Sequence, residues 1–169
     1  MSNDQILQNK TIIVTGASTG IGQAFAVACA SYGAKIIVAD MNSGEETVKI
    51  VKSNGGEAKF VEVDVANENS TNLMAKAAYD WTGRVDGLIN NAAYFREVKL
   101  TPFEEIDVAV WDKIFDVNVK GIWQCSKAVI PYMRNNKGGS IINISSVVAV
   151  AGQPGYLHYV ATKGAVLAM

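Results

Sequence analysis

The sequence predicts an α/β fold built on a doubly wound parallel sheet, and three observations carry that prediction. Short runs rich in Ile and Val alternate with longer segments of helical character along the chain. A glycine-rich turn, TGASTGIG, joins the first of those runs directly to the first helical segment. An acidic residue, Asp40, closes the second run. Strands that alternate with helices are joined by crossovers, which bring successive strands parallel and place helices over the sheet.

Taken in order, Thr11 to Thr15 (TIIVT), Lys35 to Asp40 (KIIVAD) and Lys59 to Val65 (KFVEVDV) read as strands, as do Gly87 to Asn90 (GLIN) and Ser140 to Ser145 (SIINIS). A helix is expected from Gly22 to Tyr32, stopped by Gly33 just past its end. Ser43 and Glu46 have the spacing of a capping box and mark the start of the next helix. A long helix is expected from about Val110 towards Asn136, and a last one from about Gly155. Neither a repeat nor an interdomain linker interrupts this pattern, so residues 1–169 read as a single domain.

Composition narrows the function classes. Of 169 residues, 49% are hydrophobic and 18% charged, with a formal net charge of −1, as in ordinary globular proteins. That balance offers no basic excess for a nucleic-acid backbone. No apolar run approaches membrane-spanning length, and the polar opening MSNDQILQNK has no secretion signal. Cys29 and Cys125 lie far apart in apolar helical patterns, which predicts buried free thiols and a reducing cytoplasm, with no metal site.

The glycine turn has a specific chemistry. Gly16, Gly20 and Gly22 permit positive φ and close approach of the backbone to a pyrophosphate, while the first free N–H groups of the following helix face the anion. The intervening Ala17, Ser18, Thr19 and Ile21 belong to the same cradle. In a dinucleotide site the end of the second strand faces the adenosine ribose, where Asp40 would accept hydrogen bonds from the hydroxyls and repel a 2′-phosphate. The competing role for Asp40, capping the next helix, is already filled by Ser43 in this reading. Neither Thr19 nor Met41 offers a basic group to a 2′-phosphate, so the expected cofactor is NAD.

Tyr159 and Lys163, four residues apart on one helix face, are a possible acid/base pair. Free tyrosine ionises near pH 10, and a neighbouring ammonium favours the phenolate. Alone, such a pair describes any solvated helix face. TGASTGIG, however, is followed in order by Asp64–Val65, NNAA at 90–93, DVNVKG around Asn118, ISS at 144–146 and YVATK at 159–163. With this ordered set the chain resembles the short-chain dehydrogenase/reductase family from about Lys10 to its end.

The resemblance implies a hydride transfer between NAD(H) and a secondary alcohol or ketone. It implies Tyr159 as general acid/base, Ser146 holding the substrate oxygen, Lys163 contacting the nicotinamide ribose, and Asn118 interrupting the long helix to hold a relay water. It places Asp64 and Val65 at the adenine, and Asn91 and Ala92 beside the cofactor. Ser146, not Ser145, has the family's spacing to the tyrosine, and Ala93 replaces the usual glycine of the NNAG motif. Tyr156 lacks a lysine at i+4, since Val160 stands there. The segment Tyr94 to Lys99 would border the pocket, with Arg96 available to an anionic substrate and His158 a further candidate for substrate contact. Family members are usually longer, so the chain is expected to be an incomplete domain lacking the C-terminal strands, drawn from a homo-oligomer, a tetramer by resemblance. A non-catalytic dinucleotide-binding or interaction module of the same fold is the alternative class.

Overall fold

The computed structural model describes residues 5–169. Residues 1–4, the start of the polar opening in which no secretion signal is read, lie outside them. A five-stranded, all-parallel sheet has the order β3-β2-β1-β4-β5. Its strands are β1 (Thr11–Thr15), β2 (Lys35–Asp40), β3 (Glu57–Glu62), β4 (Gly87–Asn90) and β5 (Ser140–Asn143). The helices between them are α1 (Gly20–Ser31), α2 (Glu45–Ser53), α3 (Glu68–Thr82), α4 (Val108–Phe115) and α5 (Gly121–Asn135). The short α6 (Val148–Ala151) and α7 (Leu157–Ala168) follow β5.

Alternate residues of the central strands serve two cores. Ile12, Val14, Ile36 and Val38 pack on one face with Ala26 and Ala30 of α1 and Val48 and Val51 of α2. Ile13, Ile37 and Leu88 pack on the other with Met74 and Ala78 of α3 and Cys125, Val129 and Met133 of α5. Burial on both faces explains why these strands read as continuous Ile/Val runs. The chain winds from β1 to β3 on one side and resumes with β4 on the other. The direction therefore reverses between β1 and β4, and a crevice opens at their carboxyl ends.

Several boundaries differ from the expectation. The Ser43 capping box does not form: α2 starts after Gly44 with no side-chain cap, and Ser43 Oγ accepts a long 3.5 Å bond from Glu45 N–H. Chain packing sets that start, because a Cβ on Gly44 would stand 2.5 Å from Val38 and 2.7 Å from Phe60. β3 ends at Glu62, before the expected Val65, because Asp64 N–H turns to Ser70 Oγ and the Asp64 carboxylate accepts from Ala66 N–H, each a turn bond and not a ladder bond. β5 stops at Asn143, where Ile144 N–H still reaches Asn90 but the Ser145 hydroxyl turns to α7. α7 cannot begin at Gly155, whose φ of +76° is not helical. Gly33 does stop α1, at φ +93° and with its N–H on the Ala30 carbonyl. The long helix is present as α4 and α5 joined through a π turn at Asp116–Lys120, which holds Asn118. Cys125 is buried and Cys29 half-buried, both free thiols, and burial pushes Cys125 up to about 12. No described helix is long and apolar enough to cross a membrane.

Candidate active site

At the carboxyl ends of β1, β2 and β4 lies a cleft of about 460 Å³. Of the residues assigned to the cofactor from sequence, Gly16, Ser18, Thr19, Asp40, Met41, Val65, Asn91 and Ala92 line it. The remaining ones lie outside its lining. Ala17 is buried beneath the turn, and Gly22 faces the Gly16 carbonyl so closely that a methyl there would collide with it. Gly20 has φ +60° and open space where a side chain would project. Ile21 is exposed on the first turn of α1. Asp64 does not reach the cleft lining; its carboxylate caps Ala66 N–H.

Two clamps set the shape of the cleft. Asn91 Nδ2 donates to the carbonyls of Thr15 (3.0 Å) and Gly16 (3.1 Å), and the Thr15 hydroxyl accepts from Asn91 and Ala92 N–H, both at 3.1 Å. The end of β4 is thereby fastened to the glycine turn. Asp40 Oδ2 accepts from Ser18 N–H (2.9 Å) and Oδ1 from Asn42 N–H (2.9 Å), so the acidic residue holds the turn on its other side. Underneath, the Thr47 hydroxyl donates to the Ala17 carbonyl at 2.9 Å and accepts from Gln23 Nε2 at 2.8 Å.

An anion fits this place. Thr19 precedes α1 without a side-chain cap, and no acidic residue occupies the first turn. The first N–H groups of α1 therefore have no partner within the helix, next to the open space above Gly20. Arg96 and Lys113 add positive charge to the lining, and Asp40 and Glu97 add negative charge.

The second group of assigned residues meets where α7 passes the segment that follows β5. Lys163 is buried at 3% exposure, and its Nζ donates to the Ile144 carbonyl (2.7 Å) while standing 5.7 Å from the centre of the Tyr159 ring. Burial lowers the lysine. Burial also raises Tyr159, opposed by the hydroxyl of Ser146 beside it. The two serines separate by partner. Ser145 donates to the Lys163 carbonyl (2.8 Å), whereas Ser146 accepts a long 3.4 Å bond from Val148 N–H and faces Tyr159.

Asn118 is buried in the π turn, and its carboxamide is fully engaged. Oδ1 accepts from Tyr94 N–H at 2.7 Å, and Nδ2 donates to the Tyr94 carbonyl (3.3 Å) and to Thr162 Oγ1 (3.2 Å). The Thr162 hydroxyl in turn donates to the Tyr159 carbonyl at 2.8 Å. Both hydrogens of this side chain are used within the protein. Sequence reasoning passed over Thr162, although its place on the helix face of His158 and Val166, all buried, marks it as inward-facing. It also passed over Thr15 and Lys113. His158 is 1% exposed with Nδ1 unpartnered, and burial lowers its pKa, so it is not a surface available to substrate.

Residues 10–169 match the family model of the short chain dehydrogenases, and the chain belongs to that family. It is 42% identical over 162 residues to an uncharacterized oxidoreductase, YxbG, of Bacillus subtilis, covering 95% of this chain and 58% of that protein. It is 37% identical to a 3-oxoacyl-[acyl-carrier-protein] reductase of Synechocystis, covering 95% and 65% of the two chains. A cyclopentanol dehydrogenase of Comamonas is 35% identical, with 95% and 64% covered. The crystal structure of a Sinorhizobium meliloti protein assigned as a short-chain alcohol dehydrogenase superposes with a TM-score of 0.91 at 33% identity, covering 98% of this chain and 65% of that one. The chain thus spans between 58% and 65% of the lengths of these relatives.

Proposed function

We propose that the protein is an NAD-dependent oxidoreductase that interconverts a secondary alcohol and its ketone, with Tyr159 as general acid/base. The observation that carries this reading is the meeting of Tyr159, Ser146 and Lys163 in a fold whose cleft offers a glycine turn and Asp40. Gly16, Ser18, Thr19 and the first turn of α1 would hold the pyrophosphate, and Asp40 the adenosine ribose. When bound, NAD supplies the ring that accepts or returns the hydride.

Within the chain, the work is placement of one proton. In oxidation the Tyr159 oxygen takes the proton of the alcohol hydroxyl as the C–H electron pair leaves with hydrogen. In reduction it returns that proton to the carbonyl oxygen. Ser146 fixes the oxygen being protonated or deprotonated. Lys163, held on the Ile144 carbonyl, keeps a positive charge under the phenol ring and favours the phenolate as it forms. Because burial holds Tyr159 above the usual phenol range, oxidation should quicken as pH rises and reduction should slow.

The test follows nicotinamide absorbance with secondary alcohols and ketones, for the parent protein and for Tyr159→Phe. The variant loses only the hydroxyl, whose acid/base contribution is about 10²–10⁴ in rate. Turnover should fall by that factor while NAD affinity, measured by calorimetry, stays within about twofold. A variant with near-normal turnover removes Tyr159 from the mechanism.

A further inference from the structure

The segment after β4 divides its side chains between two sides. Tyr94, Arg96 and Glu97 line the cleft shared with Gly16 and Asp40. Phe95, between them, turns away from that cleft and lies against the proposed acid/base. Its ring centre is 4.4 Å from that of Tyr159, tilted by 38°, and 5.8 Å from that of Tyr156, tilted by 46°. It keeps 42% of its surface exposed.

This position is fixed, because the preceding residue is gripped at both backbone groups by Asn118, itself buried. Tyr156 is fixed from the other side, next to Gly155, whose carbonyl accepts from Thr101 N–H at 2.9 Å. The charges nearest in the chain, Arg96 and Glu97, line the other cleft, and the Lys163 ammonium donates to the Ile144 carbonyl. Ser146, beside Tyr159, is followed by Val147, which is 74% exposed. The reacting hydroxyl is thus flanked by a half-exposed phenyl ring, and the charges of the Phe95 loop point elsewhere.

We propose that Phe95, supported by Tyr156, is the specificity-determining wall against which the hydrocarbon part of the substrate packs. The substrate class is then a neutral secondary alcohol or ketone whose reacting carbon belongs to a compact apolar ring, and not a carboxylate. This rests on the reading of Tyr159 as acid/base, and it reassigns Arg96 from substrate to the cofactor cleft. A compact apolar ring lying on an aromatic face buries area that a short open chain does not. Partial loss of an apolar pocket wall changes discrimination by about 10–200-fold.

The experiment measures kcat and KM for cyclopentanol, 2-butanol and 3-hydroxybutyrate with the protein, Phe95→Ala, Phe95→Leu and Tyr159→Phe. The protein should prefer cyclopentanol to 3-hydroxybutyrate. Phe95→Ala should lower kcat/KM for cyclopentanol by about tenfold or more, chiefly through KM, and should lower it less for 2-butanol. Phe95→Leu, which keeps apolar bulk, should move the cyclopentanol/2-butanol ratio in the same direction by a smaller factor, and it decides the matter if the alanine variant unfolds. An unchanged ratio in the variant that folds, or a parent preference for 3-hydroxybutyrate, overturns the proposal while leaving the acid/base reading intact. Undiminished turnover by Tyr159→Phe, or no turnover of any of the three alcohols by the parent, overturns both.

Discussion

An aspartate stands at each end of the sheet, and the two are treated differently. Asp86, at the entry to β4, is 11% exposed at its side chain and saturated. It accepts from Thr11 N–H at 2.9 Å, from Arg84 Nε at 2.7 Å and Nη2 at 2.5 Å, and Lys10 Nζ stands 3.6 Å away. Asp40, at the exit from β2, accepts from Ser18 and Asn42 and has no cation paired with it among the described residues. The same contrast separates two helix starts. Asn67 caps α3 through Ser70 N–H at 3.0 Å, with Glu68 in the first turn, whereas the start of α1 has neither cap nor acid. The scaffold thus pairs its own charge at Asp86 and caps its own donors at α3, and leaves Asp40 without a cation and the start of α1 without a cap.

The largest expected effect comes from erasing the unmatched charge. Asp40→Ala combined with Met41→Arg should weaken NAD and favour NADP. Each charge-assisted bond to a ribose hydroxyl is worth about 1.5–3 kcal/mol, or at least tenfold in affinity. Titrations with the two nucleotides check this, and equal affinities in the unmodified protein would remove Asp40 as the discriminator.

At the saturated end the effect is on stability. Burial alone would raise Asp86, but the Arg84 and Thr11 hydrogen bonds and the charges of Arg84 and Lys10 outweigh it and hold the carboxyl below its usual range. Asp86→Asn should cost about 1–3 kcal/mol near neutral pH, with nucleotide binding unchanged. Because the folded-state pKa is depressed, the stabilisation is present above the ordinary carboxylate pKa of about 4. It is lost as pH falls through the lowered value. Urea melts at pH 7 and pH 3 should therefore show the gap between the two proteins narrowing in acid. A gap that persists in acid would deny the ion pair its part.

The smallest effect sharpens the comparison of helix starts. Asn67→Ala should cost about 1 kcal/mol of stability through the lost cap, while Thr19→Ala, which removes no cap bond, should leave the thermal midpoint in place. Equal losses from the two substitutions would mean that α1 is no less satisfied than α3.

How much of this was legible in the sequence depends on how far each feature reaches along the chain. The glycine turn, Asp40 and the Tyr159–Lys163 pair are local patterns, and they lie where strand and helix periodicity placed them. The Thr162–Asn118–Tyr94 connection was not legible, because two of its bonds go to backbone groups of a residue remote in the chain, and backbone groups carry no residue identity. The direction of Phe95 was hidden for a related reason. An irregular loop has no period that assigns alternate residues to faces, so YFREVK read as one stretch of pocket border although its side chains part company. The failed Ser43 cap shows the opposite fault, in which a good local pattern yields to the close packing of Gly44 on Val38 and Phe60. The start of β3 at Glu57 went unread because Glu57 is exposed and Ala58, though buried, is one small residue between two charged ones.

The π turn at Asp116–Lys120 has a consequence for how the sequence can change over time. Such a turn is an α-helix carrying one surplus residue. Removing any single residue there would restore regular winding, so the helix itself would tolerate the loss. Because the wide turn absorbs that residue, the helices on either side would keep their rotation relative to each other, and Cys125 and Val129 would stay on the sheet. The change would fall on Asn118, whose bonds to Tyr94 and Thr162 depend on its place in the wide turn. The surplus residue thus positions one side chain without disturbing the helix that carries it.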